Sequence, residues 1–396
     1  MNLRILALLA LAACSGSDAT VPVGTDDGGG LDQDDDGYSV GQGDCDDNNA
    51  DIYPGANDVL GDDEDFNCDG VDGIDDDGDG MASQASGGED CDDADPLTYD
   101  GADEVGWDGI DQNCDDEDLH DFELLAAGDA HTCGIASAGQ IECWGDDEYG
   151  QLADKPEGTD FVAMDAGGDF TCAVRDNGEA LCWGRDETEG EKVQGLLSPP
   201  SGDWFQISVS TYFGCLLDRE GYVTCWGDDE YGQVTDAPSN TTFSALSVGA
   251  QHVCGIRRNG GGISCWGSDI ADQIAFAPTD AGYLRIASGS NHTCAVRQDQ
   301  GLRCWGEDAQ DQTEPPSDAG PYTYVSASVN TACGIISNRD LSCWGSDAQQ
   351  QVSGIPTGQE FNRVEVGSNH VCATDLFTEE ASCWGDNSSG QATVPF

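Results

Sequence analysis

Basic residues are nearly missing from this chain: 13 Lys and Arg stand against 78 Asp and Glu in 396 residues, a formal net charge of −65. From Asp26 to Asp121 there is no Lys or Arg, while acidic residues number 36. Such a field excludes nucleic acid and anionic lipid headgroups as electrostatic partners. Histidine is scarce too, with five, and no C-x-x-C spacing occurs, which removes a zinc site. No phosphate-binding glycine loop followed by Lys is present, and no acid and base pair is singled out by its surroundings, so no catalytic residue is expected. Long apolar runs are absent except Ile5 to Ala13, which follows Arg4. That run is too short to span a bilayer and sits where a secretory signal belongs.

The run ends Leu11-Ala12-Ala13-Cys14, which resembles the lipobox of bacterial lipoproteins. The resemblance implies removal of residues 1–13, lipidation (palmitate) at Cys14 and a flexible tether over residues 14–30. Ser15 beside the lipidated cysteine looks like the outer-membrane sorting class, on the periplasmic or cell-surface side. An ordinary signal peptide with a spare Cys14 is the alternative. Of the 19 cysteines, Cys14 aside, fourteen fall in seven pairs and four stand at positions 45, 68, 91 and 114. So many in an exported chain read as disulfides formed in an oxidising compartment.

The acidic segment, residues 31–120, cannot collapse unaided, because its few apolar residues cannot offset crowded carboxylates. Asp32, Asp34 and Asp36 precede Gly37, and Asp75, Asp77 and Asp79 precede Gly80. D-x-D-x-D-G sets three hard oxygen ligands around a tight turn, with the carbonyl of Tyr38 or Met81 as a further ligand. The twelfth positions, Gly43 and Ser86, supply no bidentate carboxylate, so neither is an EF-hand. The acidic clusters Asp44, Asp46, Asp47 and Asp90, Asp92, Asp93 are placed to complete the coordination. Calcium is the expected ion. An acidic solvating linker is the alternative.

Cys45 to Cys68 and Cys91 to Cys114 are both 23 apart, with Tyr53 and Tyr99, Gly55 and Gly101, and Asn67 and Asn113 in register. Here residues 32–118 resemble the bacterial metal-binding repeat of surface proteins, akin in style to thrombospondin type 3 and dockerin calcium loops. The resemblance implies that Cys45 pairs with Cys68 and Cys91 with Cys114, each disulfide closing a metal-filled module.

Residues 121–396 are governed by a second repeat. Cys133 and Cys143, Cys172 and Cys182, Cys215 and Cys225, Cys254 and Cys265, Cys294 and Cys304, Cys333 and Cys343, and Cys372 and Cys383 lie ten or eleven apart. The second cysteine of each pair precedes Trp-Gly. A hairpin centred on Ala138 sets Cys133 opposite Cys143, close enough for a disulfide. In the two pairs spaced at eleven, the extra residue falls in the turn. The Trp-Gly intervals of 39 to 43 residues accommodate four short strands. Seven such units predict an all-β, seven-bladed β-propeller, with a β-solenoid as runner-up.

At Trp144 to Gln151, Trp226 to Gln233 and Trp384 to Gln391 the chain resembles the regulator of chromosome condensation repeat, whose units form seven-bladed propellers. A secreted propeller inhibitor of β-lactamases is similar to the same extent. Glu189-Gly190-Glu191, Asp272-Gln273, Asp311-Gln312 and Gln350-Gln351 replace the Gly-Gln ending, so units two, four, five and six are expected to turn differently. The exchange-factor activity known in eukaryotic members is not implied, since no basic chromatin-binding tail exists.

His131, His252, His292 and His370 each lie two positions before a first cysteine, where Phe170, Phe213 and Thr331 also occur, so packing is favoured over a metal ring. The periodic tryptophans are expected in blade cores, whereas Trp107 and Trp204, outside the period, are candidates for exposed contact. The chain therefore reads as a lipoprotein with a calcium-binding neck and a non-catalytic propeller that recognises an unidentified protein or glycan. Its membrane association would be through the lipid alone. The variable segments Lys155 to Asp160, Lys192 to Asp203 and Thr313 to Pro321 are the places to seek the partner. An inhibitor of a periplasmic or secreted enzyme and a propeller hydrolase are the alternatives.

Overall fold

The structure, a computed structural model, describes residues 30–58, 65–71, 73–102, 110–114, 121–186, 195–317 and 320–395. Cys14, most of its tether, Trp107 and Glu189-Gly190-Glu191 lie outside the described residues. The chain divides into two compact units, Met1–Ala102 and Asp103–Phe396.

In the second unit, seven antiparallel sheets of three strands form the blades. Blade 1 has an inner strand Leu124–Ala127, a middle strand His131–Ile135 and an outer strand Ile141–Gly145. The inner strands of blades 2 to 7 are Phe161–Ala166, Trp204–Val209, Phe243–Val248, Tyr283–Ser288, Tyr322–Ser328 and Phe361–Val366. Each inner strand touches those of both adjoining blades, and blade 7 touches blade 1. The ring is closed between the first and last blades: Phe122 N donates to Glu379 O at 3.0 Å, and Gln391 O accepts from Trp144 Nε1 and Thr132 Oγ1, each at 3.0 Å.

Three strands form where the repeat length leads one to expect four. After Trp-Gly the chain turns instead, because an aspartate captures the amides that a fourth strand would offer its neighbour. Asp147 Oδ1 accepts from Leu152 N (2.8 Å) and Ala153 N (3.1 Å). Asp229, Asp269 and Asp347 repeat the arrangement.

The expected cysteine pairs face one another across the middle and outer strands. Cys133 lies opposite Cys143, Cys172 opposite Cys182, Cys215 opposite Cys225 and Cys254 opposite Cys265. Cys294 lies opposite Cys304, Cys333 opposite Cys343 and Cys372 opposite Cys383. All seven pairs are disulfides, with Cα atoms 4.0 to 4.1 Å apart, including the two at the longer spacing.

The first cysteine of each blade packs beside the next blade's tryptophan: Cys133 with Trp183, Cys172 with Trp226, and so on to Cys372 with Trp144. These tryptophans are 3% to 8% exposed. Their indole N–H groups reach back across the interface, Trp183 Nε1 to Gln151 O at 2.8 Å and Trp266 Nε1 to Gln233 O at 3.0 Å. Each blade is thus stapled internally by sulfur and glued to its neighbour by an indole, which buries a large apolar area while satisfying its one polar atom.

Two expectations are corrected here. Trp204 is not an exposed contact: it is 6% exposed, lies in the core between blades 2 and 3, and donates to Pro200 O at 2.8 Å. Nor do units four, five and six turn differently. Asp272 (φ 59°), Asp311 (φ 59°) and Gln350 (φ 65°) take the left-handed conformation of Gly150 (φ 80°), Gly232 (φ 76°) and Gly390 (φ 86°). The following glutamine enforces it, since Gln273, Gln312 and Gln351 accept from the backbone amide two residues earlier at 2.7 Å, as Gln151, Gln233 and Gln391 do at 2.7 to 2.8 Å.

The first unit has almost no regular structure among its described residues: one 3-10 turn, Val40–Gln42, and an isolated bridge between Ser83 and Asp90. Cys45 and Cys68 are joined, Cα 5.7 Å apart, and Tyr38 stacks on Tyr53 at 5.6 Å. Cys91 and Cys114 are both disulfide-bonded. Among the described residues, no helix is long and apolar enough to cross a membrane.

Candidate metal centres

The two D-x-D-x-D-G segments fold alike. Asp32 accepts from Asp35 N (2.7 Å) and Gly37 N (2.9 Å); Asp75 accepts from Gly78 N (2.7 Å) and Gly80 N (3.0 Å). These first aspartates therefore shape the turn with both oxygens. Asp34 and Asp77 each accept from the amide two residues on, and Asp36 and Asp79 accept from Tyr38 N and Met81 N at 2.8 Å. Carboxylate oxygens of Asp32, Asp34 and Asp36 lie within 4.8 Å of one another, as do those of Asp75, Asp77 and Asp79.

The downstream clusters dock against these loops as expected. Asp47 holds Gln33 through N (3.4 Å) and Nε2 (2.8 Å), and Asp93 accepts from Asp76 N (2.8 Å). Asp44 is 3% exposed and Asp90 1%. Burial, and then the charge of neighbouring carboxylates, raises Asp34, Asp44, Asp77 and Asp90 above the usual carboxylate range. The neighbours acting on Asp44 include Asp36, and those on Asp90 include Asp77 and Asp79. Asp46 and Asp92 are exposed.

In each repeat three matching oxygens are shielded from solvent and receive no hydrogen: Asp34, Asp36 and Asp44 Oδ2 in the first, Asp77, Asp79 and Asp90 Oδ2 in the second. Buried acceptors without donors are costly. Six in matching positions fit a cation whose lone-pair partners they would be.

A third loop escapes the sequence reading because its middle residue is Asn. Asp65, Asn67, Asp69 and Gly70 make the same turn, with Gly70 N on Asp65 Oδ2 (3.0 Å), Asp69 N on Asn67 Oδ1 (2.9 Å) and Val71 N on Asp69 Oδ1 (2.9 Å). Here Asn67 Nδ2 donates to Asp69 Oδ2 (2.6 Å) and Gly73 O (3.0 Å). Asn67 thus supplies the donor that the matching oxygens of the other loops lack, and one donorless oxygen, Asp65 Oδ1, is left instead of three. The D-x-N-x-D-G spacing across Cys68 is the signal that finds it.

The G-x-S-x-G string Gly37-Tyr38-Ser39-Val40-Gly41 is no nucleophile elbow. Ser39 is buried ahead of the 3-10 turn, and its Oγ donates to Gln42 Oε1 at 3.0 Å.

The four histidines are fully buried and serve the blade interfaces. His131 Nε2 meets Thr171 Oγ1 (2.7 Å), His252 meets Thr293 (2.8 Å) and His370 meets Thr132 (2.8 Å), each threonine belonging to the next blade. His292 Nε2 has no such partner, and Ala332 holds the position in the next blade that threonine holds in those pairs. Burial holds these imidazoles down at about 4, 3 and 4, with His292 also at about 4. They are neutral packing groups.

The fold and these loops define a disulfide-stapled, seven-bladed propeller preceded by metal-binding repeats. Sequence comparison assigns residues 123–151, 161–191, 206–233 and 284–312 to the Regulator of chromosome condensation (RCC1) repeat. Residues 44–73 and 90–118 match a motif of the Cu-binding MopE type described as "Putative metal-binding motif". The chain therefore carries RCC1 repeats in its propeller and two copies of that motif ahead of it. The RCC1 assignments fall on blades 1, 2, 3 and 5; blades 4, 6 and 7 share their architecture.

Among solved structures, the ectodomain of the Arabidopsis thaliana receptor kinase ACR4 is 23% identical (TM-score 0.59), covering 69% of this chain and 98% of that one. The ectodomain of the Physcomitrella patens receptor kinase CR4 is 23% identical (TM-score 0.57), covering 67% and 74%. Prp20p from Saccharomyces cerevisiae is 15% identical (TM-score 0.52), covering 62% and 80%. At these identities the likeness is one of fold. No curated protein matches the chain.

Proposed function

We propose that the chain is an exported envelope lipoprotein, anchored at the outer membrane through Cys14, whose calcium-binding neck carries a non-catalytic propeller for recognition of a protein or glycan. The six donorless, buried carboxylate oxygens of the two aspartate loops and the clusters docked on them carry the calcium half of this reading. Every side-chain ligand atom in those loops is a hard oxygen, which suits calcium; copper sites favour nitrogen and sulfur. Extracellular calcium modules bind at about 10⁻⁴ to 10⁻³ M, so such sites would stay filled outside a cell. Recognition is supported by a rigid ring displaying acidic connecting loops, which favour a cationic partner or one bridged by calcium.

Calorimetric titration of the full chain with calcium tests the reading. Two ions are expected; Asp34→Asn should remove one, and Asn67→Asp, which turns the amide-bridged loop into a third triad, should add one. No calcium uptake, or copper(II) uptake indifferent to Asp34→Asn, would overturn it.

A further inference from the structure

The inner strands of all seven blades line a central cavity of about 360 Å³. Its ionisable lining is one-sided: Asp129, Asp165, Glu365 and Tyr324 line it, and among the described residues no Lys or Arg does. Arg285 lies over the Tyr324 ring at 5.1 Å and Arg363 acts on Glu365, but neither lines the cavity.

An inner strand has a sheet partner on one side only, so its other edge would present bare N–H and C=O groups to the channel. Here the side chains of one blade take up amides of the next. Asp165 Oδ2 accepts Val209 N (2.8 Å), Gln206 Oε1 accepts Leu246 N (3.2 Å), Ser208 Oγ accepts Val248 N (3.1 Å), Ser247 Oγ accepts Ser288 N (2.8 Å) and Ser326 Oγ accepts Val366 N (3.1 Å). Hydroxyl protons are spent too: Tyr324 Oη donates to Glu365 Oε1 (2.8 Å) and Ser326 Oγ to Oε2 (2.9 Å). The amides and hydroxyls named here are consumed and acceptors are left over beside them, since each of these carboxylate oxygens keeps a second lone pair. Asp165 and Glu365 are near enough for the charge of one to raise the other.

We propose that the channel is a binding site for a primary ammonium group, on a molecule of diamine size or on a lysyl side chain, held by Asp165 and Glu365. An ammonium brings three donors and no acceptor, the complement of this lining. A bare metal ion fits less well, because among the described residues the channel has none of the buried donorless carboxylate oxygens that mark the neck loops. The volume points the same way: at ~30 Å³ per water it holds about a dozen, far more than an ion requires and at the small end of organic ligand sites. The site is independent of calcium in the neck and of the propeller's outer loops.

The test is calorimetry on the full chain with calcium present and salt at a physiological level, which suppresses loose counterion uptake. The probes are 1,5-diaminopentane, its neutral counterpart 1,5-pentanediol, and acetyl-Gly-Lys-Gly-amide beside its norleucine analogue. Saturable binding of one diamine per chain is expected, with the diol not binding. Glu365→Gln and Asp165→Asn should each weaken it at least tenfold, while Asp34→Asn leaves it unchanged. Binding of the lysyl peptide but not the norleucine one would assign the ammonium to a partner's side chain; binding of the diamine alone would assign it to a free amine. The proposal fails if neither amine binds saturably, if the diol binds as well as the diamine, or if both channel variants bind like the parent. The diol comparison decides even if a variant misfolds.

Discussion

Asp44 in the neck and Asp165 in the propeller are both shielded carboxylates raised above the usual range, and their surroundings differ. Asp44 Oδ2 has no donor, whereas Asp165 receives Val209 N from the next blade and Ala166 N. The same contrast runs through the two regions. The neck gathers acids whose shielded oxygens its own chain gives no donor. The propeller pairs most of its interface polar groups from within: indoles on backbone carbonyls, three of four imidazoles on threonines, serines on amides. In a chain with a net charge of −65, one part crowds carboxylates without donors and the other ties its interface carboxylates to amides and hydroxyls.

Removing one support at a time breaks that contrast most severely. Chelation should release the neck and spare the propeller; reduction should unfold the propeller. A disulfide closing a loop of about ten residues contributes about 3 kcal/mol, so losing seven exceeds the ~5–15 kcal/mol that typically holds a domain. Near-ultraviolet circular dichroism of the blade tryptophans reads the outcome: the signal should survive chelator and vanish under reductant in mild denaturant. A signal lost to chelator alone would erase the distinction.

Acid should act on the propeller through its histidines. Their folded values of about 4, 3, 4 and 4 lie below the ordinary 6.5, because burial disfavours the charged ring. Their contribution is complete above pH 6.5 and is lost as pH falls toward 4, on the order of 3 kcal/mol for each. Glu365 and Asp165 run the other way. Burial pushes them up to about 7 and about 6, so their contribution is complete below the usual carboxylate range and is lost as pH rises through those values. Four imidazoles outweigh two carboxyls, so thermal unfolding in calcium should come at lower temperature at pH 5 than at pH 7.5. Glu365→Gln should raise the midpoint at pH 8 and not at pH 5. Equal midpoints at pH 5 and 7.5 would mean that the imidazoles are solvated.

Much of this was legible because covalent and ligand chemistry leave fixed spacings. Cysteines ten or eleven apart forecast facing strand positions, and D-x-D-x-D-G forecast the loops with their docked Asp44 and Asp90. What escaped depends on partners forty residues away. The sequence shows Thr171, Thr293 and Thr132 each one blade beyond a histidine, and Gly214, Val253 and Val371 beyond Phe170, Phe213 and Thr331. That pairing becomes visible only when the ring is closed. Lying off the period does not place a side chain outside the core, as Trp204 demonstrates. Length cannot tell a fourth strand from a turn that keeps its own amides.

The histidine pairing identifies its one defect, and repairing it should sharpen the comparison by about 1 kcal/mol, the net worth of a buried hydrogen bond. Ala332→Thr supplies the hydroxyl that His292 lacks. Threonine occupies the equivalent fully buried position in blades 1, 2 and 5. The expected result is a higher unfolding midpoint that disappears when His292→Phe is made alongside; a gain that persists without the imidazole would be packing, not pairing.

The smallest effect concerns the turn after the outer strand in blade 6. Gln350 sits at φ 65°, where an L side chain costs about 1 kcal/mol or somewhat more, while Gly150, Gly232 and Gly390 sit at the same place without that cost. Gln350→Gly relieves the strain but adds freedom to the unfolded chain, so a net gain of about 0.5 kcal/mol is expected. Asp272→Gly and Asp311→Gly should give less, because aspartate tolerates the left-handed region better. If all three substitutions were equally destabilising, the glutamine bond to the preceding amide would not be what sets this turn, and the shared geometry of the six blades would need another cause.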